Sequence, residues 1–321
     1  MPLVTAPWKA VLTDGEHSLI FYALVVAGLA LFANAIKTLV SRSEIGPRYR
    51  PAMYASLCIT AVAFLSYVVL VLKFDLGYDP TASGTWEPNS DAILSWIPRY
   101  MDWSITVPLL MVELIAVSAL AGARARRARF IGIAAAFGMI FTGYLGGVVI
   151  DGGENLGALW LWGLISSAFM VLLYVLMIYI LLATMREVSP ETGKVYRHAV
   201  VLLLVVWFAY PIVYAFHGYQ EGGEWTTAMQ VILSAADIAA KVGFGVLIHK
   251  VAKLRTAEDI AKGEDEHPES IWTSSVKRAS AILPPVKGGS ASPHDPSLLV
   301  VDVEPTGTDA IPRHSGRPGN R

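Results

Sequence analysis

The chain has 321 residues, of which 54% are hydrophobic and 16% are charged, and its formal net charge is −1. Soluble domains average about 25% charged residues, so this composition, with a mean hydropathy of +0.51, indicates a membrane protein. The near-neutral charge argues against a nucleic-acid-binding protein, and the single cysteine, Cys58, excludes an intrachain disulfide framework and a cysteine-based metal cluster.

Seven apolar stretches are long enough to cross a bilayer. A hydrocarbon core of about 30 Å needs about 20 residues in a helix, and backbone groups cannot stay unpaired in hydrocarbon, so each stretch is predicted to be helical. The predicted spans cover residues 17–40, 52–73, 92–119, 130–150, 158–184, 198–218 and 226–250. The predicted fold class is therefore an all-α membrane protein, a bundle of seven transmembrane helices in the plasma membrane.

The connections between the spans alternate in charge. One set is basic: Lys37, Arg42, Arg48 and Arg50; Arg124, Arg126, Arg127 and Arg129; Arg186, Lys194 and Arg197; Lys250, Lys253 and Arg255. The other set is acidic: Asp14 and Glu16; Asp75, Asp79, Glu87 and Asp91; Asp151 and Glu154; Glu221 and Glu224. An excess of Lys and Arg marks the cytoplasmic side, so the N-terminus is predicted outside and the C-terminus inside.

The composition changes near residue 257. The segments KGEDEHPES and LPPVKGGSASPHDPS are polar and rich in Pro, Gly and Ser, without sustained periodicity. The predicted organisation is a seven-helix membrane domain over residues 1–255, followed by a disordered cytoplasmic tail over residues 256–321.

The third span contains three ionisable residues, which are costly inside a membrane and are therefore candidates for function. Since this span starts near Asp91 on the outer side, Asp102 is expected roughly 15 Å deep, close to the midplane, at about 1.5 Å per residue. Glu113 is about 16 Å further toward the cytoplasm on nearly the same helical face, and Thr106 lies between them. That face is predicted to present an acid, a hydroxyl and a second acid. Arg99 lies one turn outside Asp102.

The seventh span contains Asp237 and Lys241, which share a face because they are four residues apart. A lysine beside a carboxylate can be a structural ion pair. Its amine can also condense with an aldehyde to form a Schiff base. A protonated Schiff base at the midplane needs nearby negative charge, which Asp237 and Asp102 would supply. Arg99 would then bring the formal charge of the group to zero.

Three segments resemble helices of the microbial rhodopsins: RYMDWSITVPLLMVEL (99–114), WFAYPIVY (207–214) and DIAAKVGFG (237–245). The resemblance extends over roughly residues 10–255. It implies all-trans retinal bound covalently to Lys241, with Asp102 and Asp237 as counterions. Asp102 would be the primary proton acceptor, held by Thr106 and tuned by Arg99. Glu113 occupies the position of the cytoplasmic proton donor, as in proteorhodopsin-type bacterial pumps.

The resemblance also implies a retinal pocket. Its predicted residues are Trp103, Leu110, Met139, Gly143, Trp162, Phe169, Trp207, Tyr210 and Pro211. Tyr67 matches a tyrosine beside the pocket. Two departures from the family pattern are visible. The second span lacks the histidine that many proteorhodopsin-like members pair with the acceptor. Trp162 is aligned with a glycine of carotenoid-binding relatives, which argues against a carotenoid antenna, although the adjacent Gly163 leaves the alignment open.

The predicted function is light-driven outward proton pumping, which is transport rather than enzymatic catalysis. The expected partners are the transported proton, membrane lipid and further copies of the chain, and no nucleic acid is expected. A sensory rhodopsin that signals through a partner is the main alternative, since residues 256–321 could contact a transducer. Chloride pumps have a neutral residue in place of Asp102, and sodium pumps usually have Asn, Asp and Gln at positions 102, 106 and 113. A retinal-free receptor or transporter is the remaining alternative.

Overall fold

Long apolar helices dominate the computed structural model, which describes residues 3–264 and the backbone of residues 271–273 and 276–279. The helices are α1 (Asp14–Ser41), α2 (Arg50–Leu76), α3 (Ile97–Ala116), α4 (Gly122–Tyr144), α5 (Leu156–Met185), α6 (Pro190–Trp207), α7 (Ala209–Tyr219), α8 (Gly223–Asp237) and α9 (Phe244–Ala261). Helices α6 and α7 together form the sixth span, Pro190–Tyr219. Helices α8 and α9, joined by the π-helical segment Ile238–Gly243, form the seventh, Gly223–Ala261.

Seven spans form the bundle, as predicted. Six of them are apolar enough to cross a membrane by composition alone. The remaining span, α3, contains Arg99, Asp102 and Glu113 within 20 residues, yet it packs between α2 and α4 with all three side chains buried. Since a bilayer tolerates such residues only when they face the protein interior, α3 is the span around which the polar interior is organised.

Prolines set two of the boundaries that differ from prediction. The third span was predicted from residue 92, whereas Ala92–Ser95 forms a 3-10 turn and α3 begins at Ile97. Pro98 suits the first turn, where its missing N–H has no helical partner to lose. The sixth span is interrupted at Phe208 because Pro211 cannot donate to the carbonyl of Trp207 four residues earlier.

Polar caps explain why three helices begin earlier than predicted. Before α1, Thr13 and Glu16 form a capping box: the Thr13 N–H donates to Glu16 Oε2 (2.7 Å), and the Glu16 N–H donates to Thr13 Oγ1 (3.3 Å). Asn155 accepts from the Ala158 N–H before α5. Ser189 accepts from the Thr192 N–H before α6. Each cap satisfies backbone donors that would otherwise stay unpaired at a helix end.

A small antiparallel sheet, absent from the prediction, covers one end of the bundle. Strands β2 (Tyr78–Pro80) and β3 (Thr85–Pro88) form a hairpin between α2 and α3, and β1 (Leu12–Thr13) pairs with β3, giving the order β1-β3-β2. Trp86 attaches the hairpin to α1: its Nε1 donates to Asp14 Oδ1 (2.8 Å), and its ring stacks on His17 with centroids 3.8 Å apart. We call this the acidic end, and the opposite end, where α1 ends and α2 begins, the basic end.

The chain beyond the seventh span is described only in part. Helix α9 continues to Ala261, past the predicted domain boundary at residue 255. The backbones of β4 (Ile271–Thr273) and β5 (Val276–Ala279) pair as an antiparallel hairpin. The rest of the segment predicted as a disordered tail lies outside the described residues.

Candidate functional site

Lys241 lies between two carboxylates in the middle of the bundle. It belongs to the π-helical segment of the seventh span and is 2% exposed. Its Nζ contacts Oδ2 of Asp102 on α3 and lies 3.3 Å from Oδ1 of Asp237, one turn earlier in its own span. A π-helical turn inside a long helix often marks a functional site. The predicted combination of one amine and two acids from two spans is therefore assembled in the structure.

Asp237 is held by three donors from three other helices. Tyr67 OH donates to Oδ2 (2.9 Å), while Trp103 Nε1 (3.0 Å) and Tyr210 OH (2.8 Å) donate to Oδ1. The carboxylate is fully buried. Because both of its oxygens are engaged, Asp237 is fixed in position and orientation.

Asp102 has a different environment. Its Oδ2 contacts Lys241, but its Oδ1 has no hydrogen-bond partner within residues 3–264. The Thr106 hydroxyl, predicted to hold this acid, donates instead to the Asp102 backbone carbonyl (3.0 Å). The two carboxylates beside Lys241 thus differ: one is saturated with donors, and the other has an oxygen that can take a proton.

Arg99 completes the charged group on the acidic-end side. Its Nη1 donates to Tyr67 OH (2.9 Å) and lies 3.6 Å from Asp237 Oδ2. Its Nη2 donates to Gln230 Oε1 (2.7 Å) and Ser234 Oγ (3.2 Å). The formal charges of the two cations and two carboxylates cancel, as a low-dielectric interior favours.

Sequence reasoning missed Gln230 and Ser234, because neutral polar residues do not stand out as charged ones do. A signal was present in their spacing. Residues 230, 234, 237 and 241 follow one another at intervals of four, three and four, which places them on one helical face.

Glu113 lies on α3 eleven residues beyond Asp102, which is about 16 Å along the helix toward the basic end. Its side chain is 0% exposed, and neither carboxyl oxygen has a hydrogen-bond partner in the described part of the chain. A methyl group added at Gly245 would lie 3.8 Å from Glu113 Oε1 and 2.8 Å from Ser56 Oγ. Glu113 is therefore a fully buried acid that lies near Gly245 and Ser56.

An elongated cavity extends from Lys241 between α3, α4, α5 and the sixth span. Seven of the predicted pocket residues line it: Trp103, Leu110, Met139, Gly143, Trp207, Tyr210 and Pro211. Further lining residues are Tyr100, Val107, Ile140, Gly147, Ser166, Met170 and Tyr214. Most of these side chains are apolar or aromatic. The cavity suits a long, flat, apolar molecule that is attached at the Lys241 amine.

Trp162 and Phe169 do not line this cavity, although the sequence predicted that they would. The Trp162 side chain packs against Gly146, next to the backbone carbonyl of Ala158. The Phe169 ring packs over Gly138. The face of α5 that lines the cavity contains Gly163, Ser166, Ser167 and Met170 instead. These follow the i, i+3, i+4, i+7 spacing of one helical face. Each of the two predicted residues therefore lies one position before the residue that lines the cavity.

The family model for bacteriorhodopsin-like proteins matches residues 16–254, which is most of the chain. This chain belongs to the microbial rhodopsins. The rhodopsin is 28% identical over 249 residues to halorhodopsin of Halobacterium sp. (strain SG1), covering 75% of this chain and 81% of that protein. It is 26% identical over 253 residues to green-light absorbing proteorhodopsin of Gamma-proteobacterium EBAC31A08, and the match covers 75% of this chain and 88% of that protein.

The fold of the rhodopsin also matches the solved structure of a relative. The crystallographic structure of xanthorhodopsin, described as a light-driven ion pump with dual chromophore, superposes with a TM-score of 0.70. It is 30% identical in sequence, and the match covers 78% of this chain and 98% of that one. The rhodopsin is accordingly a multi-pass membrane protein.

Members of the family bind retinal as a Schiff base on a lysine, and Lys241 fits that role in this rhodopsin. Lys241 is the lysine that the structure buries, among the residues it describes. The apolar cavity that begins at its Nζ fits the chain and ring of retinal, and Gly143 and Gly147 contribute no side chains to the cavity. The buried acids Asp102 and Asp237 fit the positive charge of a protonated Schiff base.

Proposed function

We propose that this rhodopsin is a light-driven outward proton pump. The observation on which the proposal rests is that two buried acids with different surroundings lie on one face of α3. Asp102 contacts the Lys241 amine, and Glu113 lies about 16 Å nearer the basic end. By the rule that Lys and Arg accumulate inside the cell, we assign the basic end to the cytoplasm.

Asp102 is the group that accepts the proton. Retinal supplies light absorption and an isomerisation that changes the proton affinity at the nitrogen to which it is bound. Asp102 Oδ2 is already in contact with Lys241 Nζ, so the transfer needs no long movement, and it neutralises both charges in place. Asp237 keeps its orientation during the transfer because Tyr67, Trp103 and Tyr210 hold both of its oxygens.

Glu113 is the group that restores the proton at Lys241 Nζ. Its surroundings favour the neutral carboxyl, since burial without a hydrogen-bond partner penalises the charged form. When their surroundings give two carboxyl groups different proton affinities, one can act as the acceptor and the other as the donor. Because the donor lies on the cytoplasmic side of Nζ and the acceptor faces the Arg99 cluster toward the acidic end, net transport is outward.

Chloride pumps, sodium pumps and sensory rhodopsins are the alternative functions, and they differ from this chain at positions 102, 106 or 113. Asp102 disfavours a chloride pump, and the set Asp102, Thr106 and Glu113 disfavours a sodium pump. A sensory rhodopsin more often lacks a carboxyl at the position of Glu113. The pump is tested by illuminating cells that express the protein with retinal and recording the external pH. Acidification that a protonophore abolishes, and that Lys241→Ala removes, supports outward proton pumping. A coloured protein that gives no pH change would contradict the pump and favour the sensor.

A second chromophore is also supported by a specific observation. Gly163 lines the cavity and contributes no side chain to its wall, and the Tyr214 ring packs directly against it, since a methyl group there would lie 2.7 Å from Tyr214 Cε1. Leu164 lines the same cavity and is 68% exposed, which means that the cavity reaches the lipid-facing surface of α5. We propose that a carotenoid antenna packs along α5 at Gly163; the similar xanthorhodopsin is described as having a dual chromophore.

The antenna is tested by adding a hydroxylated carotenoid to the purified pigment. Induced circular dichroism of the carotenoid and a matching band in the action spectrum are expected for the wild type. Both are expected to disappear in Gly163→Trp, with retinal still bound. Equal signals in the two proteins would refute the antenna site without affecting the proton-pump proposal.

A further inference from the structure

A polar column extends from Glu113 to the basic end of the bundle. Its inner layer surrounds Gly245 on α9. A methyl group at Gly245 would lie 2.8 Å from Ser56 Oγ on α2, 3.5 Å from Asn34 Nδ2 on α1 and 3.8 Å from Glu113 Oε1. Asn34 and Ser56 are 4% and 2% exposed, and Asn34 Nδ2 has no hydrogen-bond partner among residues 3–264. Three helices therefore bring polar atoms to Gly245, and one of these atoms belongs to the buried acid.

The same three helices supply a second layer one turn nearer the basic end. His249 follows Gly245 by four residues on α9, and Met53 precedes Ser56 by three on α2, a helix that runs in the opposite direction. Lys37 follows Asn34 by three on α1. His249 Nδ1 lies 3.1 Å from Met53 Sδ. The imidazole thus lies one turn nearer the basic end than the Glu113 layer, with the Met53 side chain beside its Nδ1.

The column opens to the surface at Glu44, in the 3-10 turn after α1. Glu44 Oε2 lies 3.6 Å from His249 Nε2 and 2.5 Å from Lys253 Nζ. The side chains are 41% exposed at Glu44, 12% at His249 and 0% at Glu113. Titratable groups therefore lead inward from the surface to the buried acid in order of decreasing exposure.

We propose that Glu44 and His249 form the proton-uptake path that reloads Glu113 from the basic end. This inference rests on the proposed pumping function, in which Glu113 gives up its proton in each cycle. Glu44 collects a proton at the surface and passes it to His249 Nε2. Rotation of the imidazolium side chain then turns Nε2 inward, where it gives the same proton to the Glu113 carboxylate, which becomes neutral. The neutral ring turns back with Nδ1 still protonated, and no other group gains or loses charge.

Two features of the surroundings fit a relay. Lys37, Lys253 and Glu44 act electrostatically on His249. The two ammonium groups repel a charged imidazole, so the proton is passed on instead of remaining on the ring. Met53 Sδ is a weak acceptor for an imidazole N–H, and a flexible methionine can move aside when the ring turns. Met53 accordingly holds His249 Nδ1 while Nε2 faces Glu44.

The path is tested with His249→Gln and Glu44→Gln, in the whole protein with retinal bound. The first measurement is made in the dark: the rate at which the Glu113 O–H exchanges with D2O, followed by its infrared carbonyl band, which Glu113→Gln identifies. The second is proton uptake after a flash, followed with a soluble pH dye. We expect both to slow about 100-fold or more, as on loss of a positioned proton-transfer group. Return of the proton from Glu113 to Lys241 Nζ should keep its rate.

Two controls separate a relay from other effects. His198→Gln removes an exposed histidine near the basic end on α6 and is expected to leave both rates unchanged. Added azide should restore uptake in His249→Gln, since a small acid can replace a missing relay group.

Unchanged dark exchange and uptake in both His249→Gln and Glu44→Gln would overturn the inference. So would equal slowing in His198→Gln, because the effect would then come from surface charge or from folding. Failure of the pumping proposal has a different signature. The wild-type protein would then give no external acidification, while the dark exchange of Glu113 would still report whether the column conducts protons.

Discussion

Asp102 and Glu113 lie on one face of α3, and both are buried, but only Asp102 contacts the Lys241 amine. The contact gives Asp102 a charged partner, whereas Glu113 has no hydrogen-bond partner within residues 3–264. The difference in function that we propose for the two acids follows from this difference in surroundings.

Replacing Glu113 with Gln should slow the return of the proton to Lys241 Nζ about 100-fold or more, since a positioned proton-transfer group typically contributes that much. The acceptor step should be unaffected because Asp102 is unchanged. Flash absorption spectroscopy measures both steps on one sample. Azide, a small diffusible acid, should recover most of the lost rate. If the proton returns to Lys241 Nζ in Glu113→Gln as fast as in the wild type, Glu113 is not the donor.

Replacing Asp102 with Asn should stop pumping and shift the absorption maximum to the red. The neutral amide cannot accept the proton, and the positive charge at Lys241 Nζ loses the carboxylate that contacts it. The absorption spectrum and the light-induced external pH change test the two effects separately. Asp237 remains in place, held by Tyr67, Trp103 and Tyr210, so the pigment should still form. Pumping at the wild-type rate by Asp102→Asn would rule out this acceptor.

The group around Lys241 was predictable because charged residues in apolar spans are conspicuous. Asp237 and Lys241 share a face by their spacing alone. The contact of Asp102 with Lys241 required the packing of α3 against the seventh span, which the family resemblance supplied. Glu44 and His249 could not be paired from the sequence, because the loop after α1 and the helix α9 meet only in the folded bundle.

The inward face of α5 could not be read from its sequence. This 30-residue helix is apolar on all sides, so hydrophobic periodicity does not indicate which residues turn inward. A shift of one residue was enough to select Trp162 and Phe169 in place of Gly163 and Met170. The hairpin of β2 and β3 was missed for a related reason, since strands of three and four residues are too short for a periodic pattern.

Removing the Tyr210 hydroxyl should destabilise the protein more than removing the Tyr214 hydroxyl. Tyr210 OH donates to the Asp237 carboxylate, whereas Tyr214 OH, one turn away, donates to the neutral carbonyl of Leu159. Hydrogen bonds to charged groups contribute about 1.5–3 kcal/mol, and neutral ones about 0.5–1.5 kcal/mol. Thermal loss of the visible absorption band in detergent compares Tyr210→Phe with Tyr214→Phe. Equal losses would mean that Asp237 does not depend on the Tyr210 hydroxyl.

Gly245→Ala should disturb the surroundings of Glu113, because the added methyl group would lie 2.8 Å from Ser56 Oγ. Overpacking of this kind costs about 1–3 kcal/mol, and relief of the clash must move Ser56 or α9. Gly243→Ala, two residues earlier, is the matched control, since its methyl group would meet only Leu202 Cδ2, at 3.4 Å.

The two glycine variants are compared by thermal stability and by the infrared carbonyl band of Glu113. Gly245→Ala is expected to lower stability and to shift that band, because Glu113 Oε1 lies 3.8 Å from the new methyl group. Gly243→Ala should leave the band unchanged, although it adds the same methyl group to the same span. If both variants shift the band alike, the change reflects a general loosening of the seventh span, and Gly245 has no particular part in positioning Glu113.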